Sequence, residues 1–475
     1  MSKNKGATFS IVLAVIMVQL DATIVNVSLP SIAEYFSVEQ GLASWCILVY
    51  LLAVSSTLLF FGKLCDIYGV KKVILAGYIL FTAFSFLCGI STNIYMLIFS
   101  RFFQGIGGAA LNIGVFVFVP KFYPPDQTGK AFGIITTASA VGATLGMPVG
   151  GFITGMLSWH WIFLINIPIG MLAVYTLIIS IKEPDIEKES GKNKLDFIGL
   201  AMYGISIFCL LYILNKGQDD GWLSMKIIFI FSIFIIAFIS FLLYEKKIKN
   251  PLIEFSLFKN RALILAVLSG AFAYVFLAAS NFLMPFYLEL IMGLQTNQSG
   301  MVLLAYTLPL MIVGPFAGKW SAKFGSVFLC SSAMVLASIT CVFFAFSLFY
   351  GEIYIVMSSL FFFGVAFGTF NSPNHNFIKN LGAGQGQGSL FGTEQTIYRF
   401  SMAVGITIFE LIYSMGFSAK TIVNSETITA NEKTLLIAGF KDSFVAGAVF
   451  CFMSVVFTLW AGLVLRNKLM VKSQF

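Results

Sequence analysis

Two ionisable residues stand inside apolar runs: Asp21, twelve residues into the run that begins at Phe9, and Arg101, seven residues beyond Ile94. A charge in hydrocarbon costs free energy, so each is a functional candidate by default. If the first run travels outward and the fourth inward, the helical rise puts Asp21 roughly 18 Å from the inner face and Arg101 roughly 10 Å below the outer one. In a ~30 Å hydrocarbon core these depths nearly coincide, and the two side chains can meet inside one bundle. One reading is a structural ion pair that pins the bundle. The other is a proton-responsive group. Desolvation works against a charged carboxyl and a neighbouring guanidinium works for it, so a group held between the two can load and release a proton as its exposure changes.

Further candidates surround this pair. Arg101, Gly105, Gly108 and Asn112 follow at helical steps and share one face, with Gln104 beside them. Ala138, Gly142, Gly146 and Gly150 recur four apart around Pro148. Small residues at that period let two helix backbones touch, as static packing or as a sliding surface. In Gly62–Lys72, Gly62 and Gly69 permit a tight turn, and Asp66 sits among Lys63, Lys71 and Lys72. This is either a solvated turn or a conformational latch. Glu394 and Arg399 are expected near an inner interface, with Glu410 deeper and toward the outside. Gln19, Tyr50, Asn112, Tyr306, Asn371, Tyr398 and Glu410 are candidates to contact a small-molecule substrate, because aromatic faces and a buried carboxylate suit flat or cationic ligands.

Other chemistries find little support. Two distant histidines and seven cysteines without a CxxC pair fit no metal site. Cys46 and Cys88 are expected near the outer surface, the others as packing residues. Gly382–Ser389 resembles a phosphate loop but lacks its lysine and follows no strand, so it reads as a flexible inner loop. No cofactor is expected. Without a nucleotide site, an ion gradient is the natural driving force.

The elements that must position these residues are helices in a bilayer. The chain is 58% hydrophobic and 11% charged, with a mean hydropathy of +0.91. Soluble domains carry about 25% charge. Fourteen apolar runs, most near 20 residues, are long enough to cross the membrane as helices, and no alternating pattern suggests a barrel. The first run reads as an uncleaved span. Of the 29 Lys and Arg, 22 fall on the side of the termini, five opposite and two within spans. That asymmetry predicts cytoplasmic N and C termini and makes the net charge of +8 a topology signal, with no nucleic-acid partner.

Gly62-Lys63-Leu64-Cys65-Asp66-Ile67-Tyr68-Gly69 after span 2 is echoed by Gly318-Lys319-Trp320-Ser321-Ala322-Lys323-Phe324-Gly325 after span 10. The echo predicts two six-helix halves, residues 1–181 and 262–475, with a charged linker and two inserted helices over 182–261.

Several segments resemble the major facilitator superfamily, specifically its fourteen-span drug:proton antiporter branch. Leu20-Asp21-Ala22-Thr23-Ile24-Val25-Asn26-Val27-Ser28-Leu29-Pro30 looks like that branch's span-1 motif, and Gly62–Lys72 is similar to the inner-loop motif. Arg101-Phe102-Phe103-Gln104-Gly105-Ile106-Gly107-Gly108-Ala109 looks like the span-4 motif, and Trp159–Gly170 matches the start of span 6. The resemblance implies proton coupling through Asp21 and Arg101, and a lock on the inner loop by Asp66. The sequence departs from the pattern twice: Gly146-Met147-Pro148 shifts the span-5 proline by one, and Ala322 stands where the second loop often has an acid.

The expectation is therefore an all-α polytopic major facilitator fold in a bacterial cytoplasmic membrane, working as a monomer. The expected activity is proton-coupled export of amphipathic compounds, cations among them. Alternatives are a dedicated exporter or flippase for one lipid or metabolite and, in another class, a non-transporting membrane sensor. Enzymatic activity is not expected.

Overall fold

Apolar runs of this length can satisfy their backbone groups in hydrocarbon only by coiling as helices. The computed structural model of the chain is helical throughout the residues it describes: 2–38, 40–180, 196–248, 257–294, 296–382, 386–414 and 430–472. In chain order the long helices are α1 Ser2–Phe36, α2 Trp45–Tyr68, α3 Val70–Gly89, α4 Ile94–Phe122 and α5 Thr128–Met156. There follow α6 Asn166–Ser180, α7 Phe197–Asp220, α8 Met225–Glu245, α9 Arg261–Phe286 and α10 Thr296–Phe324. The last four are α11 Ser326–Ser347, α12 Ile353–Leu381, α13 Gln387–Ser414 and α14 Ala430–Lys472. A single turn, Trp161–Leu164, precedes α6.

Among the described residues, 13 helical stretches are long and apolar enough to cross a membrane, and the apolar part of α7, Ile198–Leu214, is shorter. The chain is a multi-pass membrane protein. Helix α14 begins at Ala430, and its apolar stretch runs from Lys433 to Asn467, earlier than the span expected from Asp442 because Leu435 to Phe440 is itself apolar. The connections expected over 182–196 and 414–441 lie mostly outside the described residues.

The chain forms two compact units, one of residues 1–125, 138–255 and 384–396, the other of 126–137, 256–383 and 397–475. Helix α5 thus opens within the second unit and continues in the first, and α13 does the reverse. The echoed loops adopt one backbone conformation. Gly69 between α2 and α3 has φ 90°, ψ 144°, and Gly325 between α10 and α11 has φ 82°, ψ 143°. Both lie in the region that a side chain disfavours, which accounts for glycine at each.

In the first unit, α7 and α8 form a hairpin. Asp196 caps α7, its Oδ1 accepting from the Gly199 amide at 2.9 Å, and the Ser224 Oγ caps α8 by accepting from Ile227 at 3.3 Å. The hairpin packs on α2 at both ends: Tyr203 and Phe241 against Leu59, and Tyr212, Ile213 and Ile227 against Trp45. Only 11% of the α8 span is buried and its mean hydropathy is 2.9, so most of its surface faces lipid. In the second unit, Ser269 of α9 lies 2.9 Å from Ser454 and 2.6 Å from Thr458 of α14, hydroxyl to hydroxyl, a polar join between two apolar helices.

Candidate functional site

Asp21 on α1 is fully buried, and both of its oxygens are occupied. Oδ2 accepts from Arg101 Nη1 of α4 at 2.6 Å, and Oδ1 accepts from Gln104 Nε2 at 2.9 Å and from Asn166 Nδ2 at 3.0 Å. The same Arg101 nitrogen donates to Gln104 Oε1 at 2.7 Å, its Nε donates to the Cys46 carbonyl of α2 at 2.9 Å, and Gln104 Nε2 also reaches Ser85 Oγ of α3 at 2.8 Å. The guanidinium lies 4.1 Å from the centroid of the Tyr50 ring and 5.6 Å from that of Phe163. Five helices of one unit therefore converge on one carboxylate. In low dielectric such a pair holds only while every polar group is satisfied, and removing one partner costs about 3–5 kcal/mol.

Local sequence explains the placement. The helical period aligns Arg101 and Gln104 on the face of α4 that meets α1 to α3. Asn93 starts that helix by accepting from the Met96 amide at 2.8 Å. Helix α1 is in turn seated on α5 through the glycine stripe. A Cβ on Gly142 would lie 2.8 Å from the Ile16 carbonyl, and one on Gly150 would lie 2.8 Å from that of Ile24. Gly146 comes against the Thr23 hydroxyl and the Leu20 carbonyl. Backbone-to-backbone contact thus runs along the α1 segment that carries Asp21. Pro148, exposed on the same helix, lacks the amide that would close its turn.

A second feature lies at the inner-loop motif. Asp66, on the last turn of α2, accepts from the amides of Gly388 and Ser389 at 2.9 Å each, Oδ1 on the first and Oδ2 on the second. These are orphan amides at the start of α13, where the helix dipole also favours a negative charge. The approach requires bare backbone: a Cβ on Gly62 would sit 2.3 Å from the Gly388 carbonyl, and one on Gly388 would sit 1.8 Å from that of Gly62. Gly69 supplies the turn that follows, and Lys71 lies at the start of α3.

In the second unit the same crossing recurs between Gly318 of α10 and Gly129 of α5, but with Ala322 in place of the acid. There Thr128 Oγ1 donates to Asn376 Oδ1 at 3.0 Å, and Asn376 Nδ2 donates to Ser321 Oγ at 3.3 Å. Asp66→Ala deletes a charge-assisted acceptor from two amides. Transport is expected to fall roughly tenfold with membrane insertion unchanged. Parent turnover in that variant would leave the loop a plain turn.

The remaining substrate candidates fall as follows. Tyr50 is buried beneath Arg101 and belongs to the ion-pair network, Asn112 is half-buried on α4, and Gln19 lies against Gly142. Tyr398 on α13 is buried, stacks on Tyr274 at 4.5 Å, and accepts from Asn374 Nδ2 at 2.6 Å. Tyr306 and Asn371 are half-buried on α10 and α12. The Oδ1 atoms of Asn112 and Asn371 are buried without a hydrogen-bond partner among the described residues, so each can still accept from a ligand. The side chain of Glu410 lies outside the described residues.

Two expectations are corrected. Glu394 is fully buried, not interfacial, because it lies on a face of α13 that packs inward. Gln387 onward is helix and not loop, since Asp66 supplies the cap that the glycine-rich sequence lacks. Cys46 and Cys88 are buried free thiols. Sequence reasoning missed Asn166 and the role of Gln104 on Asp21. The lone amide within the apolar Trp159–Gly170 stretch was the available clue.

Comparison with known proteins agrees with this geometry. The Major Facilitator Superfamily profile matches residues 11–406. The chain is 30% identical to the riboflavin transporter RibZ of Clostridioides difficile, over 95% of this chain and 96% of that one. It is 33% identical to multidrug resistance protein 3 of Bacillus subtilis, over 68% and 62% of the two chains. It is 29% identical to the probable multidrug resistance protein EmrY of Escherichia coli, over 66% and 62%. The solved structure of the human organic anion transporter MFSD10 superposes with a TM-score of 0.66 at 13% identity, covering 96% of this chain and 99% of that one, a likeness of fold alone. The chain belongs to the major facilitator superfamily and is a transporter of that family.

Proposed function

We propose that the chain is a proton-driven exporter of small amphipathic compounds in a bacterial cytoplasmic membrane, with both termini in the cytoplasm. The observation that carries this reading is the fully buried Asp21–Arg101 pair held by Gln104 and Asn166. A buried carboxylate that joins five helices suits a proton-coupled transporter, because a proton on Asp21 would weaken its hold on Arg101 and let those helices repack. The multidrug relatives support a broad substrate range, and the lysine and arginine distribution supports the orientation.

Attraction of cations has narrower support. Asp21 is occupied, Glu394 is buried, and Glu410 alone stands for it. Asn112 in one unit and Asn371 in the other each keep an open amide acceptor, which suits a molecule that carries hydrogen-bond donors.

A second reading is a dedicated transporter for one heteroaromatic metabolite. It is favoured by the riboflavin transporter, which matches along 95% of the chain where multidrug resistance protein 3 and EmrY match about two thirds. One experiment separates the two. Purified protein in liposomes with an imposed proton gradient is exposed to ethidium, neutral aromatic dyes, riboflavin and a lipid analogue. Gradient collapse with several unrelated compounds is expected for the broad exporter, and collapse with riboflavin alone for the dedicated one. Flux of any of these without proton movement would overturn proton coupling.

A further inference from the structure

The hairpin α7–α8 touches neither Asp21 nor Asp66, yet it reaches the helix that Asp66 caps. Tyr203 of α7, almost wholly buried, places its hydroxyl 2.9 Å from Thr396 Oγ1 of α13. Thr396 lies about two helical turns beyond the amides that Asp66 holds. The Tyr203 ring is fixed by Phe241 of α8, with centroids 5.6 Å apart, and by Leu59 of α2. Leu59 also carries the next turn of α13, since a Cβ on Gly392 would lie 3.3 Å from its Cα. The ten residues Gln387–Thr396 all belong to the first unit, and two helices, α2 and α7, hold them.

We propose that the inserted hairpin is a working arm of the Asp66 clasp, and that Tyr203 is a positioning residue holding the opening turns of α13 against α2. The proposal rests on reading that clasp as one state of the transport cycle. If α13 moves away from α2, Thr396 can turn its hydroxyl back to a carbonyl of its own helix. Tyr203 has no such recourse, because its ring is held among apolar side chains and its hydroxyl is left without a partner. The bond therefore favours the clasped state, and a neutral hydrogen bond shifts such an equilibrium by about fivefold. If the tyrosine only packed, phenylalanine would serve as well.

The test uses the full-length protein in liposomes with a reporter at Ser389→Cys, a position fully buried while Asp66 holds its amide. The seven native cysteines are all buried, so the parent sets the background for labelling by a small maleimide. Tyr203→Phe and Thr396→Val are each expected to raise the labelling rate about fivefold, with melting temperatures near that of the parent. Thr396→Ser keeps the hydroxyl and should label as the parent does. The double variant should label no faster than either single one, because both remove the same bond. Parent-like rates in both single variants, or a double effect equal to the product of the two, would overturn the proposal. Asp66→Ala is the reference. If it accelerates labelling and Tyr203→Phe does not, the clasp stands without the hairpin. If neither does, the clasp reading itself falls.

Discussion

Asp21→Asn is expected to bind substrate and to lose uphill, gradient-driven transport, while exchange down a substrate gradient survives. The substitution keeps the size and much of the hydrogen bonding of the carboxylate, so Gln104 and Asn166 retain an acceptor. What disappears is the group that can take up and release a proton. Arg101, however, is then left as a buried charge without its counter-charge, at a cost of about 3–5 kcal/mol. Fold and coupling must therefore be separated. The double variant Asp21→Asn/Arg101→Gln removes both charges, and it should recover thermal stability without recovering proton-driven flux. Proton coupling in a well-folded Asp21→Asn protein would sink the proposal. Recovery of coupling in the double variant would do the same, since it would assign the pair a purely structural role.

Gly388→Val is expected to cut the transport rate about ten- to a hundredfold at unchanged expression. Its Cβ would stand 1.8 Å from the Gly62 carbonyl and 2.8 Å from the Asp66 carboxyl carbon. Both atoms belong to α2, and the nearer one is backbone that no rotamer can move, so the helices must part. Overpacking of this kind costs about 1–3 kcal/mol, charged here to the clasped state alone. Gly204→Ala on α7 is the control, because a Cβ there meets nothing within 4 Å. Rates for Gly388→Val within twofold of the parent, measured by dye efflux and normalised to folded protein, would mean that the clasp is not a step of transport.

Much of this architecture was legible because lipid leaves the chain few choices. Apolar length fixed the spans, and the paired glycines Gly69 and Gly325 marked turns that the backbone bears out at φ 90° and 82°. Depth alone brought Asp21 and Arg101 together, since helix rise and bilayer thickness are nearly constant quantities. Rotation about each helix axis was less accessible. The ring of Tyr50, a substrate candidate by type, faces the guanidinium, and Glu394, expected at an interface, is fully buried. Partners distant in sequence could not be read at all. Asp66 meets residues more than 300 positions downstream, and its motif carries no trace of the amides it caps. The glycine-rich stretch before α13 looked like a loop because half of its helix start, the acidic cap, is supplied by another helix.

The network around Asp21 also restricts how the sequence can drift. Arg101, Gln104, Asn166 and Ser85 are all buried, and each is hydrogen-bonded to another member of the set. A single change at any of them strands a polar group belonging to another, so the one-step neighbours of this sequence are less stable whatever they do to transport. Concerted changes are needed to pair these groups again, and those that discard both charges discard the proposed proton site as well. If the pair carries proton coupling as proposed, a lineage that keeps uphill transport inherits the set whole, whereas one that turns to passive flux can shed all of it together.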